Sequence, residues 1–238
     1  MLVLTFDTAG PDCAVAVARD VAGDFEVLTR ASENLGRGHA ERLLPMIGEV
    51  LGEAGLAFAD IDRIAVTTGP GSFTGVRVGV AAARALALAL DISAVGVGSL
   101  EALAFAAGRT HRDGTVVAVF DARRGEIYAL ARDMASGSIL IEPVAAPAHA
   151  VAARLAGAAR PFILAGAGAP LLLAALGSTS VEIASLAEAP DIADVAQLGM
   201  RADAATHPVP LYARGADAKP QAGMAVARRG ADALELVP

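Results

Sequence analysis

The feature that most constrains this chain is an internal repeat of a strand that ends in aspartate. The opening segment Leu2–Asp7 (LVLTFD) is mirrored by Val116–Asp121 (VVAVFD), and an Ala-Arg-Asp string follows each of them, at Ala18–Asp20 and Ala131–Asp133. The two aspartates are thirteen positions apart in the first copy and twelve in the second. Chance similarity between short words is the alternative, but two hairpins of nearly matching length favour a duplication.

The order of the predicted elements indicates the fold class. Apolar runs separated by turn residues predict a three-stranded meander at Met1–Phe6, Cys13–Ala18 and Phe25–Arg30. The elements predicted next alternate between helix and strand: His39–Ala54, Ile61–Thr68, Val76–Leu90, Ser93–Val97 and Ser99–Ala107, with Ser99 as N-cap. The second copy adds a third strand at Ser138–Ile141. These patterns predict an α/β protein of the actin-like ATPase fold (the ASKHA, RNase H-like class), with two related subdomains of which the second is reduced.

Turn-like charged residues at Gly108–Gly114 predict the boundary between the halves, which places the subdomains at residues 1–108 and 109–219. The uncharged stretch between Arg160 and Glu182 is long enough for a membrane span. Its prolines and glycines instead predict a short strand at Phe162–Ala165 and a helix at Pro170–Leu176. We therefore expect no membrane association.

Charge and cysteine content exclude other classes of function. The net charge of −7 disfavours direct attraction to nucleic-acid phosphates, so any contact with RNA is expected to be indirect, through a partner. Cys13 is the only cysteine, which excludes an internal disulfide. No signal-peptide pattern is present at the N-terminus, and a cytoplasmic location is expected.

The candidate ligand-binding residues surround a glycine-rich turn. Gly69 and Gly71 can adopt positive φ, and Ser72 can cap the next helix, so backbone N–H groups could face an anion. The alternative is a turn that only joins a strand to a tightly packed helix. The string lacks the spacing and the lysine of a phosphate-binding P-loop.

Asp7 and Asp121 end equivalent strands, where an actin-like fold would place carboxylates near a nucleotide. Capping of the following turn is the alternative for each of them. Arg123, in the hairpin turn after Asp121, is either solvated or a clamp for carboxylate or phosphate. No histidine pair has metal-ligand spacing, and no motif connects a histidine to Ser72, so neither a metal site nor a serine hydrolase is predicted.

Two helices carry more apolar surface than one sheet requires. Their small and aliphatic side chains favour a contact between subunits, although burial between layers of one chain is the alternative. On the second of these helices the apolar residues include Val76, Val80 and Ala83.

Four strings together resemble the bacterial TsaB (YeaZ) family. They are Gly69–Gly79 (GPGSFTGVRVG), Asp121–Tyr128 (DARRGEIY), the His39–Leu51 helix with its Leu-Leu-Pro, and Pro210–Lys219 (PLYARGADAK). The resemblance extends to about Lys219 and leaves residues 220–238 as a tail outside the shared pattern. It implies the actin-like fold in a non-catalytic paralogue of the enzyme TsaD.

The resemblance further implies a role in tRNA modification. TsaD, with the ATPase TsaE, transfers a threonylcarbamoyl group to the adenosine next to the anticodon of tRNAs that read codons beginning with A. A family member would be a scaffold that pairs, through the helices flanking the glycine turn, with TsaD or with a second copy of itself. The residues then expected at the contact are Leu43, Leu44, Ile47, Val76, Val80 and Ala83. ATP or ADP could bind near that contact, and no intrinsic cofactor is implied.

The rival hypothesis is a small actin-fold phosphotransferase that holds a nucleotide with Asp7 and the glycine turn. A third and weaker reading takes the family's older peptidase label (M22-like) as an activity involving Ser72. Neither reading has a motif as long as the four strings that carry the resemblance.

Overall fold

The computed structural model describes residues 1–177, 180–205 and 207–213. The predicted tail, residues 220–238, lies outside this range. Two five-stranded sheets form the frame of the molecule, and every predicted strand belongs to one of them.

The first sheet has the strand order β3-β2-β1-β4-β5. β1, β2 and β3 form the predicted antiparallel meander, and β4 and β5 extend it in parallel with β1. The strands are β1 (Leu2–Asp7), β2 (Asp12–Val21), β3 (Asp24–Asn34), β4 (Arg63–Thr67) and β5 (Ser93–Val97). The helices of this half are α1 (His39–Glu53), α2 (Phe73–Leu90) and α3 (Ser99–Gly108), and a short 3₁₀ turn at Phe58–Asp60 precedes β4.

The second sheet has the order β8-β7-β6-β9-β10, with the same strand directions as the first. Its strands are β6 (Thr115–Arg123), β7 (Glu126–Asp133), β8 (Ile139–Pro147), β9 (Phe162–Ala165) and β10 (Val181–Ser185). Its helices are α4 (Ala148–Arg154), α5 (Ala169–Leu176) and α6 (Ile192–Arg201). This matching order confirms the predicted duplication and the actin-like fold. The second copy is reduced because α4 and α5 have 7 and 8 residues, against 15 and 18 in α1 and α2.

Local capping explains where two helices begin. The Ser72 side chain accepts a hydrogen bond from the Gly75 N–H, so α2 starts at Phe73, three residues earlier than predicted. Ser99 is the first residue of α3 and not its N-cap, because Gly98 occupies the cap position with extended backbone. The sequence analysis did not predict β10, α4 or α6, although α6 buries Ile192, Val195, Ala196 and Gly199 at helical spacing.

The main core lies between the first sheet and the inner faces of α1 and α2. Leu4 and Phe6 on β1 pack with Leu43 and Ile47 from α1 and with Val80 from α2, all of them buried. By length and composition α2 could cross a membrane. Here one side of α2 is part of this core, as is common for an apolar helix in a globular domain.

The last helix of each half packs against the sheet of the other half. α3 packs against β6, β7 and β9, where Leu100 and Leu103 join the core of the second sheet. α6 packs against β1, β2 and β4 of the first sheet, and a Cβ at Gly199 would overlap the side chain of Ala65. The predicted division at residue 108 therefore separates the sheets but not the packed layers, because residues 192–201 lie on the first sheet.

Two arginines anchor α6, one through an ion pair with the end of α3 and one through hydrogen bonds from β4. Asp194 on α6 is buried and accepts a hydrogen bond from Arg109 at the end of α3. Burial raises the pKa of the Asp194 carboxyl, and Arg109 opposes that shift. On the other side, Arg63 of β4 donates to the carbonyls of Gly199, Met200 and Ala202 at the C-terminal end of α6. A cation there satisfies carbonyls that have no partner within the helix.

His111 connects the segment between the halves to the edge strand β10. Its Nδ1 lies 2.8 Å from the Ala107 carbonyl oxygen and its Nε2 lies 3.0 Å from the Glu182 carboxylate. Both contacts are hydrogen bonds donated by the ring only when the imidazole is protonated. The Ala107 carbonyl and then Glu182 raise the pKa of His111 above its ordinary value of 6.5.

The free energy of unfolding should therefore depend on pH through His111. Its contribution is fully present below pH 6.5 and is lost as the pH rises through the higher pKa of the folded state. We expect His111→Gln to destabilise the protein more at pH 6 than at pH 8.5, measured by urea unfolding at both values. Glu182→Gln should weaken the same dependence, and an equal loss of stability at both pH values would contradict this assignment.

Candidate functional site

A cavity of about 520 Å³ opens between the two sheets, and it contains most of the predicted ligand-binding residues. Asp7, Gly71, Ser72 and Arg123 all line it. Gly69 does not, because it faces a second cavity of about 410 Å³ on the other side of the turn. The cavity thus brings together residues from both copies of the repeat.

Asp7 serves the chain's own structure. It is 2% exposed, and its Oδ1 accepts hydrogen bonds from the Ala9 N–H at 2.7 Å and from the Thr67 hydroxyl. Burial raises the pKa of the Asp7 carboxyl, and the hydrogen bonds from Thr67 and Ala9 oppose that shift. These contacts confirm that Asp7 caps the turn after β1.

Asp121 has the same role in the second copy. Its Oδ1 accepts from the Arg123 N–H at 2.7 Å, which matches the bond from Ala9 to Asp7 two residues along the chain. Its Oδ2 lies 3.3 Å from Nη1 of Arg123. The Arg123 side chain is 86% exposed, so this arginine projects from the hairpin at the edge of the cavity.

The glycine-rich string is packed against the chain itself. A Cβ at Gly71 would overlap the Ala9 carbonyl oxygen, one at Gly75 would overlap the Thr8 carbonyl oxygen, and one at Gly79 would lie 2.6 Å from the Thr8 hydroxyl. These three glycines recur every four residues, so they form one stripe along the start of α2.

Hydrogen bonds complete this contact between α2 and the β1–β2 turn. The Ser72 N–H donates to the Ala9 carbonyl at 2.7 Å, and the Thr8 hydroxyl donates to the Gly75 carbonyl at 2.7 Å. The tight strand-to-helix turn, which the sequence left as an alternative, is therefore confirmed. Of the string, Pro70, Gly71 and Ser72 still face the cavity.

The structure corrects the predicted subunit contact. Leu43, Ile47, Val76, Val80 and Ala83 are at most 3% exposed and belong to the protein's own core. Only Leu44, which is 54% exposed, faces outward. The prediction identified the correct helices but chose their inner faces, because apolar periodicity alone does not distinguish a core from a contact.

The outward faces of the same helices are also apolar and consist largely of small residues. On α2 the exposed stripe runs at helical spacing through Phe73, Arg77, Ala81, Ala85 and Leu88. On α1 it contains Ala40, Leu44, Pro45, Gly48 and Gly52. Leu88 is 85% exposed, the largest exposed fraction among the large apolar side chains of the described residues. We call these two stripes the outward face.

An aromatic cluster lies at one end of the outward face. The Arg77 guanidinium lies 3.7 Å from the centre of the Phe73 ring, and its Nε donates to the Tyr212 hydroxyl at 2.8 Å. The Phe73 and Tyr212 rings are 5.4 Å apart and about half exposed. Tyr212 reaches this position because residues 207–213 run beside α2, where Arg84 donates to the Pro208 carbonyl.

Comparison with known proteins identifies the family. The model for TsaD, described as tRNA N6-adenosine threonylcarbamoyltransferase, matches residues 31–206. A crystal structure from Pseudomonas aeruginosa, of an uncharacterized protein with similarity to the peptidase YeaZ, is 30% identical to this chain with a TM-score of 0.73. The match covers 90% of this chain and 99% of that one. The chain belongs to the TsaB/YeaZ family.

Curated TsaB relatives agree over a shorter range. The TsaB proteins of Bacillus subtilis and Escherichia coli, both named tRNA threonylcarbamoyladenosine biosynthesis protein, are 40% and 39% identical over 128 and 130 residues. These alignments cover 54% of this chain and 53% of each relative, so the chain spans about half the length of the curated TsaB proteins it matches. YeaZ from Pseudomonas aeruginosa is 27% identical, with a TM-score of 0.66.

Sequence reasoning missed several residues of this TsaB-family cleft. Ser99 and Glu188 line the cavity although neither stands in a recognisable motif, and Tyr128 lines it as the last residue of the Asp121–Tyr128 string. Glu188 lies in the segment before α6, and its position depends on the exchange of that helix. No histidine is among the described residues that line the cavity, and no group of three or more His, Cys, Asp and Glu side chains within the described ranges is arranged to hold a metal ion.

The glycine stripe makes a direct prediction about stability. Gly75→Ala should lower the free energy of unfolding by about 2 to 3 kcal/mol, because the new methyl group overlaps the rigid Thr8 carbonyl. Gly48→Ala is the matched control in α1, since nothing lies within 4 Å of its Cβ position. That control should raise stability by about 0.5 to 1 kcal/mol through helix propensity. Urea unfolding measures both, and equal effects would refute the packing role of Gly75.

Proposed function

We propose that this chain is a non-catalytic scaffold subunit in the transfer of a threonylcarbamoyl group to tRNA, at the adenosine next to the anticodon in tRNAs reading codons that begin with A. Its partner is an enzyme of the TsaD type, and TsaE joins the assembly. The names of the TsaB relatives and the match to the TsaD model support the pathway. Contact with tRNA is through the partner, in agreement with the net charge of −7.

The observation that carries the proposal is the outward face of α1 and α2. Each of these two neighbouring helices exposes a stripe of alanine, glycine and leucine, which is larger than isolated apolar surface residues would form. Exposed charges border or interrupt the stripes, namely Glu41, Glu49 and Glu53 on α1 and Arg77 and Arg84 on α2. Small residues allow the backbones of two helix pairs to approach closely. A partner with the same fold presents an equivalent pair of helices, so the contact would be a four-helix arrangement.

The cluster of Phe73, Arg77 and Tyr212 supports the same surface. Aromatic residues and arginine are enriched among the side chains that dominate binding energy at protein interfaces. These three already stack on one another, so little side-chain freedom remains to be lost when a partner binds. The same outward face would also serve a homodimer of the isolated chain.

The internal contacts of the cleft favour a scaffold over a phosphotransferase. The Asp7 carboxyl accepts hydrogen bonds from Ala9 and Thr67, and Gly71, Gly75 and Gly79 pack directly against Thr8 and Ala9. A phosphotransferase would need these groups for the phosphates of its nucleotide. ATP or ADP, if used, is proposed to bind only where the partner completes a site at the subunit contact.

Charge on the outward face should prevent pairing. Ala81→Glu and Ala85→Glu place carboxylates in an apolar contact, where an unpaired charge is costly. We expect either variant to lose co-elution with TsaD in gel filtration, while its melting temperature stays near that of the parent. Ala153→Glu, at an exposed position on α4, is the matched control and should co-elute normally.

Val80 and Ala83 are unsuitable for this test because both are buried, so glutamate there would unfold the chain itself. A tRNA-modification assay with TsaD and TsaE should lose activity when this chain is omitted or carries Ala85→Glu. Full activity without the chain would refute the scaffold role, and normal pairing of both variants would refute the proposed surface.

Calorimetry with Mg-ATP separates the scaffold from the phosphotransferase. We expect no saturable binding of Mg-ATP to the isolated chain, because its glycine turn is filled by its own backbone. Saturable binding that Asp7→Asn abolishes would favour the enzyme instead. Thermal unfolding of Asp7→Asn should accompany the titration, since this buried residue also holds the β1 turn.

A further inference from the structure

The cavity between the sheets combines several groups that stabilise negative charge. Gly71 and Ser72 lie at the N-terminal end of the 18-residue α2, and Ser99 is the first residue of the 10-residue α3. The leading N–H groups of a helix lack acceptors within the helix and carry partial positive charge. Ser72 and Ser99 stand at two such ends and line the cavity together with Arg123. Their own N–H groups already donate to the carbonyls of Ala9 and Gly69, so their hydroxyls are the groups that can serve a ligand.

The buried hydroxyl of Ser99 provides a second and independent indication of a ligand. The residue is 1% exposed, it lines the cavity, and its Oγ has no hydrogen-bond partner among the described residues. A buried hydroxyl without a partner is destabilising, so native proteins usually satisfy it. A ligand atom that accepts a hydrogen bond from Ser99 would do so.

Arg123 is held in a conformation that suits another residue type better. Arg123, Arg124 and Gly125 have φ values of 65°, 56° and 79°, in the left-handed region that glycine and asparagine adopt more readily than arginine. Arginine is nevertheless present at position 123, which lines the edge of the cavity, and its side chain is 86% exposed. One of its five N–H donors contacts Oδ2 of Asp121, with Nη1 at 3.3 Å from that oxygen.

We propose that this cleft binds a small oxyanion, a carboxylate or inorganic phosphate, through Ser72, Ser99 and Arg123. A nucleotide is a poor fit, because the glycine stripe that would hold its phosphates is closed by Thr8 and Ala9. The carboxyl groups of Asp7, Asp121 and Glu188 also line the cavity, and ionised carboxylates repel a triphosphate more than a small anion. None of the described lining residues belongs to the outward face, so the site is independent of the proposed subunit contact.

The test is titration of the full chain with sodium phosphate and, separately, with sodium malonate, at constant ionic strength and by calorimetry. Saturable binding of either anion is expected, and the anion that binds identifies phosphate or carboxylate as the recognised group. Arg123→Gln and Ser99→Ala should each weaken that binding about tenfold or more. Arg124→Gln is the matched control, because Arg124 is not among the lining residues, and it should bind normally.

Thermal unfolding checks that the variants are folded. It also distinguishes a ligand-binding role of Ser99 from a structural one, because only a structural role would lower the melting temperature in the absence of anion. Ser99→Ala removes a hydroxyl that has no hydrogen-bond partner among the described residues, so its melting temperature without anion should equal or exceed that of the parent. The rise in melting temperature on adding the anion should shrink in the same variant. The proposal is overturned if neither anion saturates, if Arg123→Gln binds like the parent, or if Mg-ATP binds more tightly and with the same sensitivity.

Discussion

The contact between the start of α2 and the turn after β1 determines the rest of this structure. Gly71, Gly75 and Gly79 bring the helix backbone against Thr8 and Ala9, closer than any side chain would allow. This approach fixes the rotation of α2 about its own axis. Val76, Val80 and Ala83 are thereby turned into the core, and Phe73, Ala81 and Ala85 are turned outward. It also places Ser72 at the edge of the cleft, so the candidate contact and the candidate ligand site depend on one packing event.

The exchange of terminal helices joins the two copies of the repeat. α3 completes the core of the second sheet and α6 completes a face of the first, with Arg109 and Asp194 paired between them. Neither sheet has its full set of covering helices without the other half of the chain. The cavity lies between the two sheets that these helices join, which explains why its lining residues come from both halves.

Much of the cleft could be predicted from the sequence, for a definite reason. Asp7, Ser72 and Arg123 stand at strand ends and turns, and strand ends of a duplicated sheet meet at corresponding edges. Ser99 and Glu188 could not be predicted because they reach the cavity through the exchanged helices. Gly69 was assigned to the cleft on its place in the glycine string, yet the turn directs it to the opposite side.

The sequence by itself determined most of the elements, the duplication and therefore the fold, since turn residues and apolar periods are local and each copy begins with the same series. It also determined which helices have excess apolar surface. Only the tertiary structure decided which side of those helices is buried, because burial is settled by the surface a helix packs against. For α2 that surface is the turn at Thr8 and Ala9, more than sixty residues away along the chain.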